Sequence, residues 1–153
     1  MALYLVQHGK SLPKDVDPDQ GLSQEGVAET KRIANMAKEY GVTVKSIKHS
    51  AKTRARRTAE IFASALNPGG DIQETSGIKP LDDVAAFAEN IQAQDDVMLV
   101  GHLPFMERMT SFLVTESIEK PVFKFQNSGI VCLDKDPETQ SWFIKWSLMP
   151  HIG

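Results

Sequence analysis

The chain has 153 residues, 41% hydrophobic and 24% charged, with a formal net charge of −3, which is ordinary composition for one soluble domain with a sizeable core. The acidic balance argues against a nucleic-acid partner, because nucleic-acid binders carry a basic excess, and the single cysteine, Cys132, excludes an internal disulfide and fits a reducing compartment. No apolar run approaches the ~20 residues of a spanning helix and the start lacks the marks of a signal peptide, so the expectation is a single cytoplasmic domain over 1–153 with no membrane partner.

The apolar run over residues 2 to 7 reads as a buried strand and breaks abruptly into Gln7-His8-Gly9. A polar loop with Pro13, Pro18 and Gly21 follows. Leu22-Ser23 opens a helix, with Ser23 as N-cap and Glu25 in the first turn, where the helix dipole favours an acid. Val27, Ile33, Ala34, Ala37 and Tyr40 recur at helical spacing, and Gly41 marks the end. Residues 44 to 49 form a short second strand, and Ser50 caps a helix that runs to about Leu66. Asn67-Pro68-Gly69-Gly70 breaks the chain. A short strand near Ile72 precedes a helix at about 82 to 93. Val97-Met98-Leu99-Val100 is another buried strand, ending in Gly101-His102, and a helix starts from Pro104, which suits a first helical turn. Gly129 to Leu133 and Trp142 to Leu148 pair across the polar turn from Asp134 to Ser141. The alternation of strand and helix with a β-rich end predicts a three-layer α/β/α sandwich around a mostly parallel sheet.

Two strands each deliver a histidine at the carboxyl end, where open α/β sheets bind ligands. His8 and His102 therefore mark one shared site. Arg54 lies one turn before Thr58 on the stripe formed by Thr58, Ile61, Phe62, Ala65 and Leu66. From position alone it either clamps an anion at the helix N-terminus or snorkels its charge to solvent. Arg56 pairs with Glu60 at i,i+4 on the surface, and Arg57 sits at the stripe edge, free to face either way. His49 and His151 read as structural or surface residues. Zinc would need a third and fourth ligand beside His8 and His102, and no Cys/His cluster supplies them. Asp82 reads as the N-cap of the following helix, while Asp83 either complements its dipole or reaches the rim as a proton donor. Asn127-Ser128-Gly129 reads as a simple turn ahead of the hairpin, with donation to a ligand as the alternative. No serine sits in a Gly-x-Ser-x-Gly context, which argues against a serine hydrolase. A neutral imidazole is a nucleophile toward phosphorus, and cationic donors stabilise the charge that spreads over the phosphoryl oxygens. Two histidines and Arg54 meet that need without a metal or other cofactor.

With Gln7-His8-Gly9, Leu22-Ser23-Gln24-Glu25-Gly26, Ser50 followed by Arg54 and Thr58, and Gly101-His102-Leu103-Pro104 in this order, the chain resembles the histidine phosphatase superfamily. The likeness is to its short, SixA-type branch of phosphohistidine phosphatases, with a phosphoglycerate mutase-like fold, and it runs over nearly the whole length. The resemblance implies His8 as the nucleophile that becomes phosphorylated, Arg54 as the clamp on the phosphoryl oxygens, His102 as a further hydrogen-bond partner and Asp83 as the acidic proton donor. It also implies a phosphorylated protein as partner, a histidine phosphotransfer domain among the candidates, because no insertion is long enough to cover a pocket. A small phosphorylated molecule, as for a phosphomonoesterase, is the alternative. One departure stands out. The family carries arginine where this chain has Gln7, which brings an amide but no charge and no bidentate fork. Losing one transition-state donor costs on the order of 100- to 1,000-fold in rate. The chain is therefore a weak phosphatase, one whose activity is restored by a nearby cation such as Lys10, Lys52 or Arg57, or a pseudophosphatase that binds phosphoryl groups without turnover.

Overall fold

The computed structural model describes residues 2–69, 72–91 and 96–152. Six strands form one sheet: β1 (Ala2–Gln7), β2 (Ser46–His49), β3 (Ile72–Glu74), β4 (Val97–Gly101), β5 (Ile130–Lys135) and β6 (Trp142–Leu148). Their spatial order is β3-β2-β4-β1-β5-β6. The first four run parallel, and β5 and β6 close the β1 side as an antiparallel hairpin. The helices are α1 (Gln24–Glu39), α2 (Thr53–Leu66), α3 (Val84–Ala88) and α4 (Phe105–Thr115). Among the described residues no helix is long and apolar enough to cross a membrane.

Both faces of the sheet are buried, and alternation along the strands divides them. Tyr4, Val6, Met98, Val100, Ile130 and Cys132 pack under α1 and α2 against Ile33, Ala37 and Phe62. Leu3, Leu5, Val97, Leu99, Val131 and Leu133 pack under α3 and α4 against Val84, Phe105 and Met109. Each fully buried aliphatic side chain of this kind stabilises the fold by roughly 1.5–3 kcal/mol. The architecture is the expected three-layer α/β/α sandwich around a mostly parallel sheet.

Local chemistry accounts for the element ends. Ser23 caps α1 by accepting from Gly26 N–H at 3.0 Å. Gly41, at φ +80°, ends that helix, with its N–H bonded to Lys38 O and that of Val42 to Ala37 O, the paired bonds of a Schellman motif. Tyr40, placed on the apolar stripe by its spacing, is the C-cap residue of α1 and is exposed.

Several boundaries differ from expectation. The second strand starts at Ser46. Ser50 does not cap α2; Lys52 holds the cap position without a side-chain bond, and the Ser50 hydroxyl is turned to His102. The helix from 82 shrinks to Val84–Ala88. Its N-cap is Asp83, not Asp82, whose carboxylate instead accepts from Lys79 N–H at 2.9 Å. At its end Asn90 N–H bonds Phe87 O and Ile91 N–H bonds Ala88 O, the tighter i−3 pattern that closes a helix. Residues 92 and 93 of that expected helix, and Gly70 of the expected breaker, lie outside the described residues. Asp134 and Lys135, assigned to the hairpin turn by their polarity, continue β5.

Candidate active site

The parallel register of β1 and β4 pairs Gln7 with Gly101, so the next residues, His8 and His102, leave the sheet side by side. His8 N–H donates to Gly101 O at 3.0 Å. The two imidazole rings lie 5.0 Å apart, tilted by 57°. On the other flank of β4, Ser50 N–H follows β2 and donates to Val100 O at 3.2 Å; its Oγ stands 2.6 Å from His102 Nε2. Ahead of β5, Ser128 N–H donates to Gln7 O at 2.9 Å and Asn127 Nδ2 donates to His8 O at 2.8 Å. The sequence of side chains along the rim, Ser50, His102, His8, Asn127, follows the order β2-β4-β1-β5.

Arg54 enters from the first turn of α2. Its Nε–H donates to His8 Nε2 at 3.4 Å, a long contact. Thr58, one turn on, locks that helix to the rim: its hydroxyl donates to Arg54 O at 2.8 Å and accepts from Gly9 N–H at 2.9 Å. Among the described residues no carboxylate pairs with Arg54, so its guanidinium is available to an anion. The loop after His8 is held from the other side by α1. Ser23 N–H and Oγ both donate to Lys10 O. A Cβ on Gly26 would stand 2.1 Å from that same carbonyl, so only glycine allows the helix to start this close.

These contacts fix the state of His8. Its Nδ1 lies 2.7 Å from Gly9 O. A carbonyl only accepts, so Nδ1 carries the proton. Nε2 is then the ring's lone pair, and it faces Arg54, which as a pure donor requires the same tautomer. Burial lowers the His8 pKa below its ordinary 6.5; the Gly9 hydrogen bond opposes this and the Arg54 charge adds to it. His102 is pushed further, to about 4, by burial first and then by the charges of His8, Arg54 and Lys52. Both rings are neutral near pH 7. His102 is almost fully buried and its Nδ1 has no hydrogen-bond partner.

Of the residues nominated from the sequence, His8, His102 and Arg54 come together, and Gln7 underlies them at the end of β1, its Oε1 buried and unpartnered. Asp83 makes no hydrogen bond or ion pair with this cluster. Its Oδ1 accepts from Ala86 N–H at 3.2 Å, and it lines a cleft beside α3 that runs from Thr75 and Ser76, just past the carboxyl end of β3, to Leu3 and Val97. The three cations that stood to replace the charge missing at Gln7 also separate. Lys10 is bound to Glu25 at 2.8 Å and Glu29 at 3.5 Å. Arg57 lines the groove between α1 and α2 with Val27 and Lys31. Lys52 is tied by its N–H to Ser50 Oγ, the oxygen that approaches His102. His49 is buried and bonds Ser50 O through Nδ1, and His151 pairs with Glu29; neither belongs to the site. Sequence reasoning missed the contact of Ser50 with His102 and the backbone support from Asn127 and Ser128. The spacing of Asn127-Ser128-Gly129 ahead of β5 was the available signal, but an Asx turn gives the same pattern.

No protein-family model matches the chain. Over 158 residues it is 25% identical to the phosphohistidine phosphatase SixA of Escherichia coli K12, covering 98% of this chain and 94% of that one. Its fold superposes on a structure of the protein histidine phosphatase SixA complexed with tungstate with a TM-score of 0.85, at 23% identity over 98% and 97% of the two chains. It also superposes on a candidate SixA phosphohistidine phosphatase from Agrobacterium tumefaciens, with a TM-score of 0.77 and 28% identity over 97% of each chain. The chain belongs to the histidine phosphatase superfamily. Within that superfamily it is SixA-like, and among the described residues no group of three or more His, Cys, Asp or Glu has the geometry to hold a metal.

Proposed function

We propose that this chain, acting as one domain, is a phosphatase that moves a phosphoryl group from its substrate to Nε2 of His8 and then to water. The observation that carries the reading is the fixed tautomer of His8. Its proton is committed to Gly9 O, and a bare, neutral Nε2 faces the one guanidinium of the cluster. In the first step the Nε2 lone pair forms a bond to phosphorus as the bond to the leaving group breaks. In the second, the oxygen of a water forms a bond to the same phosphorus as the Nε2–P bond breaks, one proton passes to solvent, hydrogen phosphate departs and His8 is left neutral with its Nε2 lone pair restored. Arg54 and the N-terminus of α2 receive the phosphoryl oxygens, and His102 Nδ1 supplies a hydrogen bond. A phosphoryl dianion beside His102 favours the protonated form of that ring, which strengthens its hydrogen bond to the phosphoryl oxygens. A SixA of the same fold forms a complex with tungstate, a tetrahedral oxyanion, which is in keeping with an oxyanion as ligand.

The substrate class follows from the leaving group. A phosphomonoester expels an alkoxide and needs a strong acid at the site. Phosphohistidine carries a distal ring nitrogen that titrates near the imidazole value of about 6.5, so it departs as neutral imidazole. With Asp83 engaged at α3, the cluster suits the second leaving group, presented on a protein such as a histidine phosphotransfer domain in the cytoplasm. The uncharged Gln7, half-buried with its Oε1 unpartnered, favours one rival, a protein that binds phosphoryl groups without hydrolysing them.

Incubation with phosphohistidine followed by an alkaline quench tests both. The expected result is acid-labile, alkali-stable phosphate on His8, steady release of inorganic phosphate, and loss of both in His8→Ala. Equal turnover by His8→Ala overturns the mechanism. Inorganic phosphate that binds without any turnover of phosphohistidine establishes the rival.

A further inference from the structure

Position 7 poses a charge problem that the structure answers elsewhere. A phosphoryl group at His8 brings about two negative charges, and Arg54 neutralises one. Gln7, beneath the two histidines, neutralises none. A second cation must come from a side chain already at the rim and not paired with a carboxylate. Lys10 fails because Glu25 and Glu29 hold it. Arg57 fails because it lies in the groove between α1 and α2. Lys52 meets both conditions among the described residues. It occupies the N-cap position of α2, two residues before Arg54. Its N–H donates to Ser50 Oγ at 3.4 Å, and that same oxygen lies 2.6 Å from His102 Nε2. The main chain of Lys52 is thus two contacts from the buried imidazole, and its exposed side chain is free to swing over the mouth of the site. The Lys52 ammonium is also among the charges that depress His102, after burial, His8 and Arg54, which places it within electrostatic reach of the reacting groups.

We infer that Lys52 is the second phosphoryl-binding cation of this site, contributing from the start of α2 the charge that Gln7 withholds from the end of β1. The inference rests on the phosphatase reading and adds a binding residue to it. The two positions are then alternative sources of one electrostatic contribution. An arginine at 7 makes Lys52 dispensable, and the loss of Lys52 makes Gln7 a liability. A lysine on an exposed stem also makes the site open to screening, because salt damps interactions between exposed charges over a Debye length of about 10 Å at 0.1 M.

A double-mutant cycle with free phosphohistidine as substrate and inorganic phosphate as competitive inhibitor tests this. Lys52→Gln is expected to lower kcat/KM and raise the inhibition constant for phosphate, each on the order of 10-fold. The effect falls below the ~100-fold or more of a preorganised donor, because solvent screens the ammonium. Lys52→Arg is expected to retain activity. In a Gln7→Arg background, Lys52→Gln is expected to cost less than 3-fold, since two groups that share one role are not additive. The phosphate affinity of the wild type is expected to fall more steeply with salt than that of Lys52→Gln. Unchanged kinetics and phosphate affinity in Lys52→Gln overturn the inference, and so does an equal loss in both backgrounds. His8→Ala, assayed alongside, separates the two failures. If it is inactive while Lys52→Gln is silent, only the role of Lys52 falls; if it stays active, the phosphatase mechanism itself falls.

Discussion

The carboxyl ends of β1 and β4 and the loop that follows β3 both carry side chains that the sequence nominates for chemistry, yet they hold them by different means. His8 and His102 are each one residue beyond a strand, and the two strands are neighbours in register. Their separation is set by the sheet, and four further groups, Gly9, Ser50, Thr58 and Asn127, tie the surrounding main chain or ring nitrogens. Asp83 hangs from a loop of nine residues after a three-residue strand, and its carboxylate is occupied in starting a five-residue helix. Preorganised donors and nucleophiles need rigid supports. The strand ends supply that support, whereas the Asp83 carboxylate is spent on the start of α3.

The sharpest way to break this contrast is at Arg54. Arg54→Gln is expected to reduce kcat/KM for phosphohistidine by about 100- to 1,000-fold with little effect on thermal stability, because no carboxylate depends on the guanidinium. It should also move the acid limb of kcat/KM to higher pH. Neutral His8 is the reactive form, its pKa lies below 6.5, and Arg54 is one of the influences holding it there. A wild-type acid limb at or above pH 6.5, or a variant limb that does not move, would show that the guanidinium is not beside the nucleophile in solution.

The next effect is thermodynamic and belongs to His102. Its folded pKa of about 4 lies below the 6.5 of an unfolded chain, so the unfolded state binds the extra proton first as the pH drops. The stability associated with the neutral ring is complete above pH 6.5 and is lost progressively toward pH 4, by about 3 kcal/mol in all. Urea denaturation of the wild type and of His102→Gln at pH 7.5 and 4.5 isolates it. The wild type is expected to lose about 2–3 kcal/mol more than the variant across that interval, and equal losses would mean that the ring is solvated and titrates normally.

These two regions also differ in how much of them the sequence reveals. Strand β1 and its neighbour β4 announce themselves as apolar runs cut short by a polar pair, and the pairing of Gln7 with Gly101 needs only that both be parallel and buried. Arg54 is legible because helical periodicity puts it on the stripe of Thr58 and Phe62. What decides the chemistry at His8 is less visible. The Gly9 carbonyl that sets its tautomer carries no side chain, and the Ser50 hydroxyl that approaches His102 looks like an ordinary helix cap until the helix is seen to start three residues later, at Thr53. Asp82 and Asp83 illustrate the opposite failure. Two adjacent acids before an apolar run both satisfy the N-cap rule, and a shift of one residue exchanges their roles. Only the packing of Val84 against the sheet decides between them, and that contact is not written in local periodicity.

The smallest expected effect tests the loop itself. Asp83→Ala removes a cap whose loss costs about 1 kcal/mol in a long helix, and less in one of five residues that is held chiefly by burial of Val84. Turnover of phosphohistidine is expected to change by less than about 3-fold. Asp83→Asn separates the two uses of this side chain, because asparagine caps a helix as well as aspartate but donates no proton from a carboxyl. Both activity and stability should survive in Asp83→Asn. The informative comparison is with a phosphomonoester of a poor leaving group. If Asp83→Asn selectively abolishes that hydrolysis while sparing phosphohistidine, the loop after β3 swings its carboxyl to the rim when an alkoxide has to leave, and the division between a rigid strand-end site and a bystander loop is wrong. If both substrates are indifferent to the change, Asp83 is not the proton donor, and substrates that leave without an acid are the ones this site is built to serve.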